Sequence, residues 1–180
     1  MVDKLWFSQS IEGLFVRGVG DQMTPALRAK LLELGLDVKN LQPAYDDAVV
    51  TRAIRLVGST LFADKPETEA LRATGRLFMK GFAQTLMGKA LVQFMKVIGP
   101  RRSLQRMERN FRTGGNYIES RFESLGEGKA HVWFNDVSGI PDFYAGIIQR
   151  GGEFAGAEAM TITFAPVTKA ECTFVVDWKE

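Results

Sequence analysis

Between Pro100 and Asn135 the spacing of apolar residues changes from helical to extended, and this switch divides what the chain can fold into. Leu104, Met107 and Phe111 recur at three- and four-residue intervals, with Arg101, Arg102, Arg106 and Arg109 on other faces and Pro100 suited to a first helical position. Gly114 and Gly115 stop that helix. Beyond them Tyr117, Glu119, Arg121 and Glu123 alternate with Ile118, Ser120 and Phe122. After Gly126-Glu127-Gly128, Ala130, Val132 and Phe134 alternate with His131, Trp133 and Asn135, the pattern of a hairpin.

Upstream of the switch the sequence predicts helices. Thr24-Pro25 opens one by a cap and a proline at its first position, and Asp46 caps a second with Val50, Ile54, Val57 and Leu61 as its stripe. Asp64 and Pro66 begin a third, in which Leu71, Gly75, Phe78 and Phe82 share a face and the small Gly75 allows close packing. The run Ala90–Gly99 is apolar on most sides, which predicts a central helix ended by Gly99-Pro100. Residues 11–20 read as a short buried strand-like or one-turn segment, because Gly18 and Gly20 lack the Lys-Ser/Thr ending of a phosphate loop.

Downstream, Pro141 leads a helix with Phe143, Tyr144, Ile147 and Ile148, followed by two more alternating runs joined by a turn near Pro166. The expected fold is therefore α+β: N-terminal helices, then an antiparallel four-stranded sheet over residues 116–124, 129–135, 159–165 and 171–178 in strand–strand–helix–strand–strand order. With no internal repeat or linker, residues 1–180 are expected to form one domain, 1–112 mainly helical and 113–180 the sheet half.

Charge follows the same division. Residues 1–112 hold 18 Lys and Arg against 11 Asp and Glu, and residues 113–180 hold 5 against 10, giving +7 and −5. Opposite signs either pair the halves of one copy or steer two copies into a homodimer. The basic segment Lys96–Arg112 raises nucleic acid or anionic lipid as partners, but it has no DNA-reading motif or interleaved aromatic residues, so nucleic acid is not expected. One cysteine, no secretory leader pattern and no apolar run of membrane-spanning length point to a cytoplasmic chain without a transmembrane span.

The inventory of reactive groups is short. His131 is the single histidine, no metal cluster or nucleophile–base pair stands out, and no catalytic residue is assigned. Asp136 and Asp142 read as turn and cap residues before a helix rather than as paired acids. Tyr117, Glu119 and Arg121 form a polar row that serves either to bind an anion or as the solvated face of the sheet. Met79, Met87, Met95 and Met107, with Phe78, Phe82 and Phe94, either line an adaptable pocket or fill a core.

The runs NFRTGGNYIESRFESLGEG and VWFNDV, with GLFVRG near the start and GPRR before the switch, resemble an uncharacterised paralogous family expanded in myxobacteria. More distantly, the order of helices and strands resembles the superfamily of haem–nitric-oxide-binding domains, vinyl-reductase-type ligand-binding domains and TRAPP-type subunits. That resemblance implies a Tyr-x-Ser-x-Arg motif holding haem propionates, matched here by Tyr117-x-Glu119-x-Arg121 with an acidic middle residue. It also implies a histidine on the preceding long helix, where this chain has Met87 and Met95. The expectation is thus a module without a cofactor, haem disfavoured, that binds an apolar or lipid-like molecule through Phe78, Phe82, Phe94, Met95, Tyr117, Arg121 and Trp133 and serves in sensing. The alternative is an interaction module with a filled core, and a haem-based gas sensor stands behind both.

Overall fold

The structure is a computed structural model that describes residues 3–166, 168 and 170–179. A short antiparallel pair, β1 (Leu5–Phe7) and β2 (Ala44–Asp46), brackets α1 (Ser8–Ile11), a π-helical turn (Glu12–Gly18), a 3-10 turn (Gly20–Gln22) and α2 (Pro25–Glu33). Then come α3 (Asp47–Leu61), α4 (Glu67–Phe82), α5 (Leu86–Gln105) and α6 (Met107–Phe111). The remainder is β3 (Ser120–Gly126), β4 (Lys129–Phe134), α7 (Pro141–Phe154), β5 (Ala159–Pro166) and β6 (Cys172–Lys179). The α+β architecture agrees with the sequence, and the sheet is antiparallel throughout in the order β3-β4-β6-β5. The turn expected near Pro166 lies partly outside the described residues.

Local chemistry sets the helix starts. The Thr24 hydroxyl accepts from the Leu27 amide and the Asp46 carboxylate from the Ala48 amide, each satisfying an amide with no partner inside its helix. Residues 11–20 depart from the strand-like expectation. Ile11, Leu14, Phe15 and Val19 are spaced for one helical face, all are buried, and that face packs against the core beside α4. β3 also begins later than expected: residues 116–119 precede the ladder, and Gly115 bridges to Trp6 instead.

The core is continuous from Trp6 to Trp178. Val132, Phe134, Phe174 and Val176 form the inner face of the sheet, and Phe134 meets Phe174 edge-on at 5.4 Å and Tyr144 of α7 at 5.8 Å. α7 in turn crosses α4 with almost no side chain between the backbones. A Cβ on Gly75 would overlap the Phe143 carbonyl, and one on Gly146 would overlap the Arg72 carbonyl, so each helix presents its glycine to the other's backbone. Ion pairs flank the crossing: Arg76 and Arg150 both reach Glu153 at 2.7 Å, and Arg72 reaches Asp142 at 3.3 Å. Burial alone would raise the Glu153 carboxyl, but the bonds from Arg76 and Arg150 outweigh it and hold the group below its ordinary value.

α5 is not the central helix that its apolar content predicts. Val92 and Met95 are buried, whereas Leu86 is 90% exposed and Val97 85% exposed. It is broken at Gly99, whose φ of 78° only glycine adopts without strain, and resumes at Pro100.

Gly75→Ala and Gly146→Ala should each destabilise the fold by about 3 kcal/mol or more, at or beyond the upper end of ordinary overpacking, since backbone rather than a movable side chain receives the new methyl. Urea unfolding of the two variants checks this; wild-type midpoints would mean that the helices do not cross so closely.

Candidate ligand cavity

Where the two halves meet, side chains leave a partly open cavity of about 80 Å³. Its walls are Phe78, Met79 and Phe82 of α4, Leu91 and Met95 of α5, Met107 and Phe111 of α6, and Ile147 and Gly151 of α7. Trp6, Ser10, Tyr117 and Ile118 close the remaining side with the loop at residues 113–115. Phe78 and Phe82, one helical turn apart, stack at 5.7 Å. Two hydroxyls that border it have partners inside the protein: Ser10 Oγ donates to the Gly114 carbonyl at 3.1 Å, and Thr113 Oγ1 donates to the Asn110 carbonyl at 2.7 Å.

Trp6 and Tyr117 add an apolar ring to the wall and a polar tip to a network behind it. Trp6 Nε1 and Tyr117 Oη donate to Asp47 Oδ1 at 2.8 and 2.7 Å, and Ser138 Oγ is 2.9 Å from both oxygens of that carboxylate. Tyr144 Oη lies 3.4 Å from Tyr117 Oη. Asp47 also sits in the first turn of α3, where the helix dipole favours a carboxylate. Next to it Lys4 pairs with the buried Asp136, whose Oδ1 accepts from the Ser138 amide at 2.8 Å. Ser138 holds a positive φ of 50° in this setting. Four separate segments of the chain thus converge on two carboxylates, and Tyr144 joins them through Tyr117.

Burial pushes the Tyr117 phenol well above its ordinary value, with the Asp47 charge adding to the effect, and burial does the same at Tyr144. The Cys172 thiol, buried under the sheet, is pushed up to about 11, first by desolvation and then by Asp142, which makes it a poor nucleophile.

Of the seven residues the sequence singles out, Phe78, Phe82, Met95 and Tyr117 come together on this cavity, and three stand elsewhere. Phe94 lies about 100° around α5 from Met95, is 42% exposed and has the Arg106 guanidinium over its ring at 5.4 Å. Trp133 alternates with the buried Val132 and Phe134 and so occupies the outer face of the sheet. Arg121, its cross-strand partner, stacks on it at 4.6 Å, leaving Tyr117 without the arginine expected beside it. Nor do the inward residues of the strands close the cavity, because Phe111 and Tyr144 already cover Phe134. Trp6, Asp47 and Ser138 carry no local pattern that marks them, since tertiary pairing alone assembles the network.

A family model described as a protein of unknown function, DUF2378, matches residues 4–179. The chain belongs to that family. No curated protein matches it. Among solved structures, an H-NOX protein from S. oneidensis in the Fe(II) ligation state is similar at a TM-score of 0.73 and 12% identity, covering 97% of each chain. The Fe(II)NO state of an H-NOX protein from S. oneidensis is similar at 0.73 and 10% identity, over 97% of this chain and 100% of that one. An Fe(II) unliganded H-NOX mutant from K. algicida is similar at 0.69 and 14%, over 97% of each. At these identities the likeness establishes the fold. It also overturns the expectation of a chain without a cofactor, because the solved proteins that share this fold are described by the ligation state of an iron centre.

Stability should fall as the pH rises through and above the ordinary tyrosine value of 10.0. The folded-state values of Tyr117 and Tyr144 are raised, so their contribution is complete below that pH and is lost where the unfolded chain releases protons that the fold retains. Each phenol adds a slope of up to about 1.4 kcal/mol per pH unit. In urea titrations across that range Tyr117→Phe should lose stability less steeply than wild type; equal slopes would mean that Tyr117 is not held protonated by this network.

Proposed function

We propose that this chain is a non-enzymatic ligand-binding or sensory module, and that its ligand is an apolar small molecule held between α4, α5, α6 and α7. The reading takes residues 1–180 as one domain, in keeping with a core that runs through both halves. The observation that carries it is an apolar cavity, walled by aromatic rings and methionines, in a fold whose solved neighbours are H-NOX proteins. The cavity is small as it stands, about 80 Å³ against roughly 300–1,000 Å³ for pockets that enclose drug-sized ligands. Entry of such a ligand therefore requires a wall to move. α5 suits that role, for it is anchored inward by Val92 and Met95 and interrupted by the glycine break at Gly99.

Two ligand classes suit these walls. A lipid-like molecule matches the apolar lining, in which Ser10, Asn110, Thr113 and Tyr117 are the polar side chains. Haem enters through the fold neighbours, and the residues fit it in part: the lining suits a porphyrin, and the thioethers of Met79, Met95 and Met107 border the space. No imidazole joins them, since His131, the single histidine, stands on the outer face of the sheet beside Glu123. Any iron here would rely on sulfur, since the Tyr117 hydroxyl is held by Asp47, and bound haem would supply ligation of a diatomic gas.

Native mass spectrometry and solvent extraction of the purified protein, with thermal-shift titrations against haem and long-chain fatty acids, test the reading. One apolar molecule per chain is expected, with uptake weakened at least about tenfold in Met95→Ala and unchanged in Phe94→Ala, whose exposed side chain does not line the cavity. A Soret band altered by Met95→Ala would identify haem, and an extracted acyl chain would identify lipid. No bound species and no thermal shift with either class would overturn the proposal in favour of an interaction module with a filled core.

A further inference from the structure

α5 has a second apolar face that neither the core nor the cavity uses. Of seven exposed large apolar residues among the described residues, four belong to this helix: Leu86, Met87, Phe94 and Val97. At 100° per residue, Leu86, Ala90, Phe94 and Val97 fall within roughly 80° of one another, along a helical stretch of about 20 Å between Leu86 and the break at Gly99. Lys89 and Lys96 lie along one edge of this arc, both exposed, and Arg101 and Arg102 follow directly after the break. No carboxylate intervenes: residues 70–107 hold eight Lys and Arg and no Asp or Glu. The nearest in sequence, Glu108, is engaged by Arg112 at 2.9 Å.

We infer that α5 docks the protein on an anionic membrane surface, with Leu86, Phe94 and Val97 entering the head-group boundary and Lys89, Lys96, Arg101 and Arg102 meeting lipid phosphates. Charge complementarity selects this occupant. A projecting helix ridge with fully exposed Leu and Val tips, edged by lysines whose long stems reach outward, is the arrangement of an interfacial helix, where apolar burial and attraction to acidic lipid act together. The Arg106 guanidinium over Phe94 places a further cation on the same ridge.

Flotation of the full chain with phosphatidylcholine vesicles, with and without phosphatidylglycerol, tests this. Binding is expected only when phosphatidylglycerol is present and should weaken as salt is raised. The double variant Leu86→Ser with Val97→Ser should bind roughly tenfold or more weakly, and Lys89→Gln with Lys96→Gln about tenfold more weakly. Both should keep the wild-type circular dichroism and melting temperature, because the altered side chains are exposed. Equal binding to neutral vesicles, or none to either, would overturn the inference. So would a wild-type dimer, seen by light scattering, that the Leu86→Ser, Val97→Ser variant converts to monomer, since a second copy would then cover the face.

Discussion

The two glycines at the crossing of α4 and α7 set the distance on which the rest of the molecule depends. α7 backs the sheet through Tyr144, and α4 carries Phe78 and Phe82 into the helical half, so the separation of these two helices fixes how the halves face each other. Were a side chain interposed, Phe143 and Phe78, now 5.9 Å apart, would separate and the cavity beside them would lose its floor. The surrounding arginine pairs hold the ends of the crossing without approaching the cavity. Interior packing is dense enough that a backbone contact of this kind admits little adjustment.

Against that rigid pair, α5 is weakly committed. Its inward side chains are few, its outward face is apolar, and its backbone leaves the helical conformation at Gly99. Elements with little buried apolar surface are those that open first. Because Met95 and Phe94 are neighbours in sequence, a molecule admitted beside one and a surface met by the other would act on the same turn of helix. A ligand that favours an outward position of α5 would thereby alter affinity for whatever holds its outer face, and linkage makes that effect reciprocal.

The sequence made the architecture legible wherever burial is periodic. The alternation at Ala130, Val132 and Phe134 and at Cys172, Phe174, Val176 and Trp178 places the inner face of the sheet residue by residue. Composition misled where it was taken for burial: α5 is apolar on most sides because it has two unrelated apolar faces, and only one is internal. Residues 11–20 carried a helical spacing at Ile11, Leu14, Phe15 and Val19 that their glycines obscured. The site was half visible. Phe78, Phe82 and Met95 stand out by type and spacing, whereas Trp6 and Asp47 acquire their roles only when β1 and β2 bring the chain's start against α3.

Tyr117 and Arg121 do not act as a pair in this fold. Two residues four apart would share a face only if the strand ran through both, but the ladder begins at Ser120 and residues 117–119 lie outside it. Tyr117 is consequently turned into the interior, where its hydroxyl is committed to Asp47, while Arg121 stays outside on Trp133. Glu119 is exposed, so the acidic residue at the middle of the triplet does not meet a ligand in the cavity at all. A cavity of this form would recognise the apolar body of a ligand closely, since the Tyr117 hydroxyl is turned behind the wall. Selectivity for such a ligand would rest on shape, where a methylene gained or lost is worth only about 1–3 kcal/mol.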